Sequence, residues 1–421
     1  MAWIGTAPAQ RQYGTTPGVD RGARVREMLE QETRPAEPRT IGPIESIEPG
    51  RAPRLVSLDV FRGLTIAAML LVNNPGTWSH VYPPLEHAEW NGWTPTDLVF
   101  PFFLFIVGVA LTFSLGAMTE RGASRRATFR KVLLRAAIIF TLGVLLHGFP
   151  HYELAHLRIF GVLQRIALSY LLAAGIVLLT GVRGQAAALV GLLLGYWTLM
   201  TLVPVPGVGH GALEPDKNLS NWLDLHVIGM NHVWQETKTW DPEGILSTLG
   251  ALASVMCGVL AGHWIRSART AGAKVAGLFD AGLIALVAGA IWSYAFPINK
   301  SLWTGSYVLF SAGIACLVLA ATYWLVDVKG SRGWTWPFVV FGTNAIAAYW
   351  LSSAFAIVLD WIVVTHAADG ESWTLKTYIY ETFYAPWLAP ADASLAYAIT
   401  YVVVWLGLVS ILYRRRIFIR I

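Results

Sequence analysis

Runs of about twenty apolar residues, separated by short polar loops, recur through most of this chain. That is the length an α-helix needs to cross the hydrocarbon layer of a bilayer. No water satisfies backbone polar groups inside such a layer, so each run is expected to be a helix. The expectation is therefore an all-α fold, a polytopic membrane helical bundle. The runs fall at roughly 56–74, 97–117, 132–149, 159–180, 185–203, 244–264, 275–296, 304–326, 337–360 and 395–413, which makes about ten transmembrane helices. Composition agrees: of 421 residues, 55% are hydrophobic and only 14% charged, too little charge to keep a soluble surface of this size wet. The ninth run is ambiguous and could continue, tilted or broken, through Asp360 and Trp361 to Thr365. The stretch 374–390, with Tyr380, Phe383, Tyr384 and Trp387, reads as interfacial or re-entrant.

Residues 1–53 are rich in proline, arginine, glutamate and glycine, with no apolar run. They are expected to form a disordered cytoplasmic tail rather than a signal peptide. Residues 54–421 then form the transmembrane domain. Basic residues cluster in alternate loops: Arg51 and Arg54; Arg121, Arg125, Arg126, Arg130 and Lys131; Arg266, Arg269 and Lys274; Lys329 and Arg332; Arg414, Arg415, Arg416 and Arg420. An even number of spans puts them all on one face, which the positive-inside rule makes cytoplasmic, with both termini. The opposite loops hold most of the histidines and many tryptophans. Cys257 and Cys316 both lie in apolar runs and read as small core residues.

The first run opens Leu55-Val56-Ser57-Leu58-Asp59-Val60-Phe61-Arg62-Gly63. Asp59 and Arg62 are three apart and share a helix face. Ionisable groups at this depth are costly, so they are either a mutual ion pair anchoring the helix or a site for an anionic ligand. The run closes on Asn73-Asn74-Pro75-Gly76, about 21 Å of helix beyond Asp59. Asn73 either caps backbone groups beside Pro75 or donates a hydrogen bond to an oxyanion.

The following loop contains His87-Ala88-Glu89-Trp90-Asn91-Gly92-Trp93-Thr94-Pro95-Thr96-Asp97. Histidine is the natural general base near neutral pH, although a lone loop histidine is more often solvated or structural. Thr94, or Thr96 with Asp97, can cap the second helix. Asp97 either orients a histidine or complements the helix dipole. In Arg158-Ile159-Phe160-Gly161-Val162-Leu163-Gln164-Arg165, the first arginine is expected to snorkel to the interface. Arg165, about two turns deeper, needs a carboxylate, carbonyls or an anionic ligand, with Asp97 and Asp59 as candidate partners. Asp241 and Glu243 fit a capped, dipole-compensated start to the sixth span. Lys300 sits in an outer turn, and Asn344 places an amide inside the ninth run. His147 and His151 are four apart but Pro150 lies between them, and no metal site is expected. There is no Walker loop, dinucleotide fingerprint or zinc-ligand pattern.

Taken together, Ser57-Leu58-Asp59-Val60-Phe61-Arg62-Gly63, Val72-Asn73, His87-Ala88-Glu89-Trp90-Asn91-Gly92 and Asp97-Leu98-Val99-Phe100-Pro101-Phe102 resemble the heparan-alpha-glucosaminide N-acetyltransferase family. Gly161-Val162-Leu163-Gln164-Arg165 and Asp241-Pro242-Glu243-Gly244-Ile245-Leu246 continue the resemblance in order, over nearly all of the chain beyond residue 53. The family moves an acetyl group from cytoplasmic acetyl-CoA to a sugar amine across the membrane. The resemblance implies that His87 corresponds to its active-site histidine and Asn73 to its catalytic asparagine. The human-type enzyme has an extra luminal region and an additional N-terminal span, and this chain has a somewhat different Asn73–His87 loop.

The function expected is thus transmembrane acetyl transfer in a cell inner membrane, to an amino sugar or glycan acceptor, with acetyl-CoA as co-substrate. His87 and Asn73 are the catalytic candidates. Asp59, Arg62, Arg165 and Asn344 are candidates for acetyl-CoA binding, with Arg125, Arg126 and Arg130 as weaker ones. Trp90, Asn91, Trp93, Asp97, Glu243 and Lys300 are candidates for the acceptor site. A ternary complex and an acetyl-histidine intermediate both remain open. Membrane lipid is an expected partner, a homodimer is one arrangement open to the chain, and nucleic acid is not expected. The competing readings are an amino-sugar permease and a non-catalytic scaffold.

Overall fold

The computed structural model describes residues 55–365 and 372–419. The tail expected over 1–53 lies outside the described residues, as do Arg51, Arg54 and Arg420. The described chain is an all-α membrane bundle. Its helices are α1 (Val56–Asn73), α2 (Val99–Glu120), α3 (Arg125–Gly148), α4 (Val162–Leu179), α5 (Val182–Leu202), α6 (Leu219–Val227), α7 (Thr248–Arg266), α8 (Ala271–Trp292), α9 (Gly305–Thr322), α10 (Trp336–Thr343), α11 (Ala345–Trp361), α12 (Leu375–Phe383) and α13 (Pro390–Arg414). Among the described residues, eight are long and apolar enough to cross a bilayer, and α10 with α11 makes a ninth, bent by 83°. The tenth expected span lies in α3, which carries Arg125, Arg126, Arg130, Lys131 and Arg135 in its first three turns. Its 24 residues measure about 36 Å, and Leu133, Leu134, Ile138 and Leu145 face outward, so ten crossings require α3 as the tenth. The stretch 374–390 is not a span. It holds α12, preceded by a hairpin of β1 (Val363–Thr365) and β2 (Ser372–Thr374).

Lipid tails are as apolar as leucine, so apolar area alone does not drive one spanning helix onto another. Here close approach of small residues supplies the packing. A Cβ added at Gly108 of α2 would lie 2.0 Å from the Val255 carbonyl oxygen of α7, and one at Gly258 would lie 2.0 Å from that of Phe105. The same device joins α8 to α9 through Gly282, Gly289 and Gly313, and α1 to α10 through Gly63 and Gly342. Residues of α1, α2, α4, α7 and α9 share one core that contains Leu70, Phe100, Leu104, Ile166, Met256, Trp303 and Tyr307.

Polar contacts tie the ends of the bundle that carry the basic loops. The first N–H groups of α1 have no cap from their own segment, and the Asp327 carboxylate accepts from Val56 at 3.3 Å and Ser57 at 3.0 Å. Arg266 at the end of α7 donates to the Thr112 carbonyl at 2.6 Å and meets Glu120 at 3.3 Å. Asn344 sits fully buried at the α10–α11 break. Its amide donates to the Ile417 carbonyl at 3.2 Å and its oxygen accepts from the Ile419 N–H at 2.9 Å. Asn344 therefore clamps the segment after α13, with both ends of its amide bonded to backbone.

Gly258→Leu is expected to force α2 from α7 and to cost about 3 kcal/mol, the upper end for overpacking. Thermal unfolding in detergent, compared with Ala253→Ser as a control on the same helix, measures the loss.

Candidate active site

The loop from α1 to α2 is organised by one carboxylate. Thr94 and Asp97 form a capping box around the short 3-10 turn Pro95–Leu98, which leads into α2. Asp97 is 1% exposed. Its Oδ2 accepts the backbone N–H groups of Ala88 at 3.1 Å and Thr94 at 3.0 Å. Its Oδ1 lies 2.7 Å from Nδ1 of His87. An acceptor held by backbone donors takes the Nδ1 hydrogen, so the lone pair of His87 is presented at Nε2. The imidazole is about half exposed, so a group in solution can reach it.

Lys300 faces the same ring from the turn between α8 and α9. Its Nζ lies 3.0 Å from Nδ1 and 3.1 Å from Nε2 of His87, and 3.5 Å from Oδ1 of Asp97. The turn is rigidly made. Buried Asn299 accepts the Leu302 N–H at 2.8 Å and donates to Asn91 at 3.2 Å, while the Gly92 N–H donates to the Ile298 carbonyl at 2.8 Å. Trp303, at φ 53° and fully buried, stacks edge-on against Phe100. Burial pushes the Lys300 amine below its ordinary range, against the opposing pull of Asp97 and Glu243.

The third wall is an ion cluster. Arg158 meets Asp241 at 2.6 Å and Glu243 at 2.5 Å, with its guanidinium over the Trp234 ring. Burial works against the arginine's charge, but Glu243 and Asp241 hold it above its usual range. Burial also opposes ionisation of Glu243, and Arg158, Arg165 and Lys300 hold it below the usual carboxylate range. This corrects two expectations. Arg158 does not snorkel, and Asp241 and Glu243 do not cap a helix start, because α7 begins at Thr248.

These groups converge on a cavity of about 460 Å³, within the range of small-molecule sites, about 300–1,000 Å³. Met69, Val72 and Asn73 from the end of α1 line it, with His87, Glu89, Thr96, Asp97, Phe100, Arg158, Trp234, Trp240, Glu243, Lys300, Ser301 and Tyr349. Of the residues predicted from sequence, His87, Asn73, Asp97, Glu243 and Lys300 thus share one chamber. Trp90 and Asn91 stand behind the wall: the Trp90 ring packs on Trp240 and donates to the Leu213 carbonyl at 2.9 Å, and Asn91 braces Asn299. Trp93 packs on Phe310. Asp59 and Arg62 do not line the chamber. Arg62 meets Asp59 at 3.2 Å and donates to the Gly342 carbonyl at 3.2 Å, at the α1–α10 crossing.

Arg165 lies outside the chamber too. It is fully buried, donates to the Gly244 carbonyl and the Ser247 hydroxyl, and stands over the Trp303 ring. Its partners are thus a carbonyl, a hydroxyl and an aromatic face, and neither Asp97 nor Asp59 bonds it. Asp224 of α6 completes this layer. Its carboxylate accepts the Ile245 N–H at 2.8 Å and packs on Gly244, where an added Cβ would lie 1.8 Å from it.

The family described as heparan-alpha-glucosaminide N-acetyltransferase, catalytic, matches residues 54–289. The human heparan-alpha-glucosaminide N-acetyltransferase is 31% identical over 352 residues, covering 70% of this chain and 52% of the relative. The chain belongs to this family. The mouse protein of the same name is 30% identical over 353 residues, covering 71% and 53%. The chain spans about half the length of these curated relatives.

Within this member of the N-acetyltransferase family, sequence reasoning missed Trp234, Tyr349 and Asp224, and it misplaced Arg158. A charged residue next to a span is a visible signal, but the acids that hold Arg158 lie 83 and 85 positions away. Tyr349 and Trp234 carry no local signal that separates them from ordinary core or interfacial aromatics.

Burial pushes the Asp224 carboxyl up to about 7. The unfolded chain ionises it from about pH 4, so between about pH 4 and 7 the folded state holds the extra proton and stability falls as pH rises. Asp224→Asn is expected to remove that fall and to raise thermal stability at pH 8 by a few kcal/mol at most. Melting curves of the two proteins across pH 4–8 test it, and parallel curves would refute the buried-acid assignment.

Proposed function

We propose that this protein is a membrane-embedded acetyltransferase, with acetyl-CoA as donor and an amino sugar or glycan as acceptor. The observation that carries the reading is the shared chamber of His87, Asp97 and Asn73, at the end of the bundle remote from the basic loops. Membership of an N-acetyltransferase family supports it. By the charge bias of its loops, the chamber opens away from the cytoplasm, and a cell inner membrane is the setting we favour.

Asp97 holds His87 in the tautomer with its lone pair at Nε2, so His87 takes the proton of the acceptor amine or hydroxyl as it attacks. Asn73, exposed on the chamber wall at the end of α1, donates an amide hydrogen to the oxygen that becomes negative. Tryptophans 234 and 240 offer apolar faces to a sugar ring. Glu243 and Glu89 supply acceptors for its hydroxyl or ammonium groups. The thioester end of the donor and one sugar ring match the scale of the chamber. The nucleotide end lies beyond it.

Purified protein is expected to acetylate glucosamine in the presence of acetyl-CoA. His87→Ala is expected to lower turnover by about 10²–10⁴, and Asn73→Ala by about 10²–10³, with melting temperatures retained. Full activity in His87→Ala would remove it as the base. Sugar counterflow in proteoliposomes without any acetylation would instead favour a permease.

A further inference from the structure

An acceptor that gives its proton to His87 must place its nitrogen within about 2.6–3.2 Å of Nε2. The Nζ of Lys300 already stands within that distance, 3.1 Å from Nε2 and 3.0 Å from Nδ1, so it lies over the ring, and a rotation of its flexible stem brings it onto the Nε2 lone pair. It is a primary amine on the chamber wall, with 20% of its side chain exposed. It is held by a scaffold rather than by chance: Asn299 and Thr304 are fully buried and bonded to one another's segments, with the Asn299 N–H donating to the Thr304 hydroxyl at 3.1 Å. The Trp303 N–H donates to the Lys300 carbonyl at 3.1 Å. Docking of Gly92 and Asn91 onto this turn fixes its position relative to the His87 loop.

We propose that Lys300 is a site of self-acetylation, in which its amine takes the place of the acceptor when donor is present and acceptor is absent. This rests on the acetyl-transfer reading above. The Nζ lone pair attacks the carbonyl carbon of an acetyl thioester, forming an N–C bond. The C–S bond breaks and its electron pair leaves on the thiolate. The amine proton passes to Nε2 of His87 and from there to the thiolate, leaving an amide on Lys300 and a free thiol. Holding amine and base in one frame gives this reaction a large effective concentration over any exposed lysine. Burial disfavours the ammonium form of Lys300 and so favours the nucleophilic amine, although Asp97 and Glu243 oppose this. An amide is a poor leaving group, so the product does not pass its acetyl group on. It fills the acceptor position and removes the cation beside Asp97, making the modification self-limiting for turnover.

The test incubates full-length protein in detergent with acetyl-CoA alone and measures acetylation of each lysine by peptide mass spectrometry, with glucosamine acetylation assayed in parallel. Lys300 is expected to be modified well ahead of Lys274 and Lys329, and His87→Ala is expected to slow it about 100-fold. A second arm needs no variant. Protein pre-treated with acetyl-CoA is expected to lose glucosamine turnover in proportion to the fraction of Lys300 acetylated. If glucosamine is acetylated while Lys300 is not, the proposal fails and the acetyl-transfer reading stands. If Lys300 is modified no faster than Lys274 and Lys329, the labelling is nonenzymatic and the proposal fails. If neither sugar nor Lys300 is acetylated, both fail.

Discussion

A single buried carboxylate organises the functional end of this protein. Asp97 is 1% exposed at the mouth of α2, where an ionised group is stable only with donors on every side. Two backbone N–H groups, the His87 imidazole and the Lys300 side chain supply them. Satisfying that one group folds the loop after α1 back on itself, selects the histidine tautomer and draws in a turn from the far side of the bundle. The Tyr307 hydroxyl, donating to the Asp97 carbonyl from α9, holds the backbone of the same residue. The catalytic geometry we propose is in this sense a by-product of burying one charge without leaving it unpaired.

The rest of the bundle makes that burial feasible. Helices in lipid gain little from apolar contact with one another, so the positions of α2, α7 and α9 relative to α1 depend on steric fit. Glycines at the α2–α7 and α8–α9 crossings bring backbones within van der Waals reach. They thereby set where Asp97, Lys300 and the residues before α7 arrive. The break at Asn344 belongs to the same economy. A backbone interruption at membrane depth needs its polar groups satisfied, and the chain after α13 meets the Asn344 amide at that point.

The two ends of α1 serve different purposes. Asn73 opens onto the chamber, whereas Arg62 joins Asp59 and the Gly342 carbonyl where α1 crosses α10. On α1 the chamber reaches inward only to Met69, about 10 Å of helix short of Arg62. α1 thus carries two separate polar centres joined by apolar helix.

What the sequence by itself determined is what short-range physics encodes. Run length announces spanning helices, because bilayer thickness sets one length for all of them. A cap at Thr94, or at Thr96 with Asp97, was legible because capping groups lie within one turn, and Asp97 beside a histidine was one of two open readings because one short loop holds both. The structure selects Thr94 with Asp97, and His87 as its partner. Only the tertiary structure decided which distant groups meet. Lys300 reaches His87 across 213 positions, Arg158 finds Asp241 and Glu243 rather than the membrane interface, and Asn344 is spent on backbone. Those pairings follow from which helix ends converge. That is fixed by steric complementarity along whole helices, and no local pattern of residues carries it.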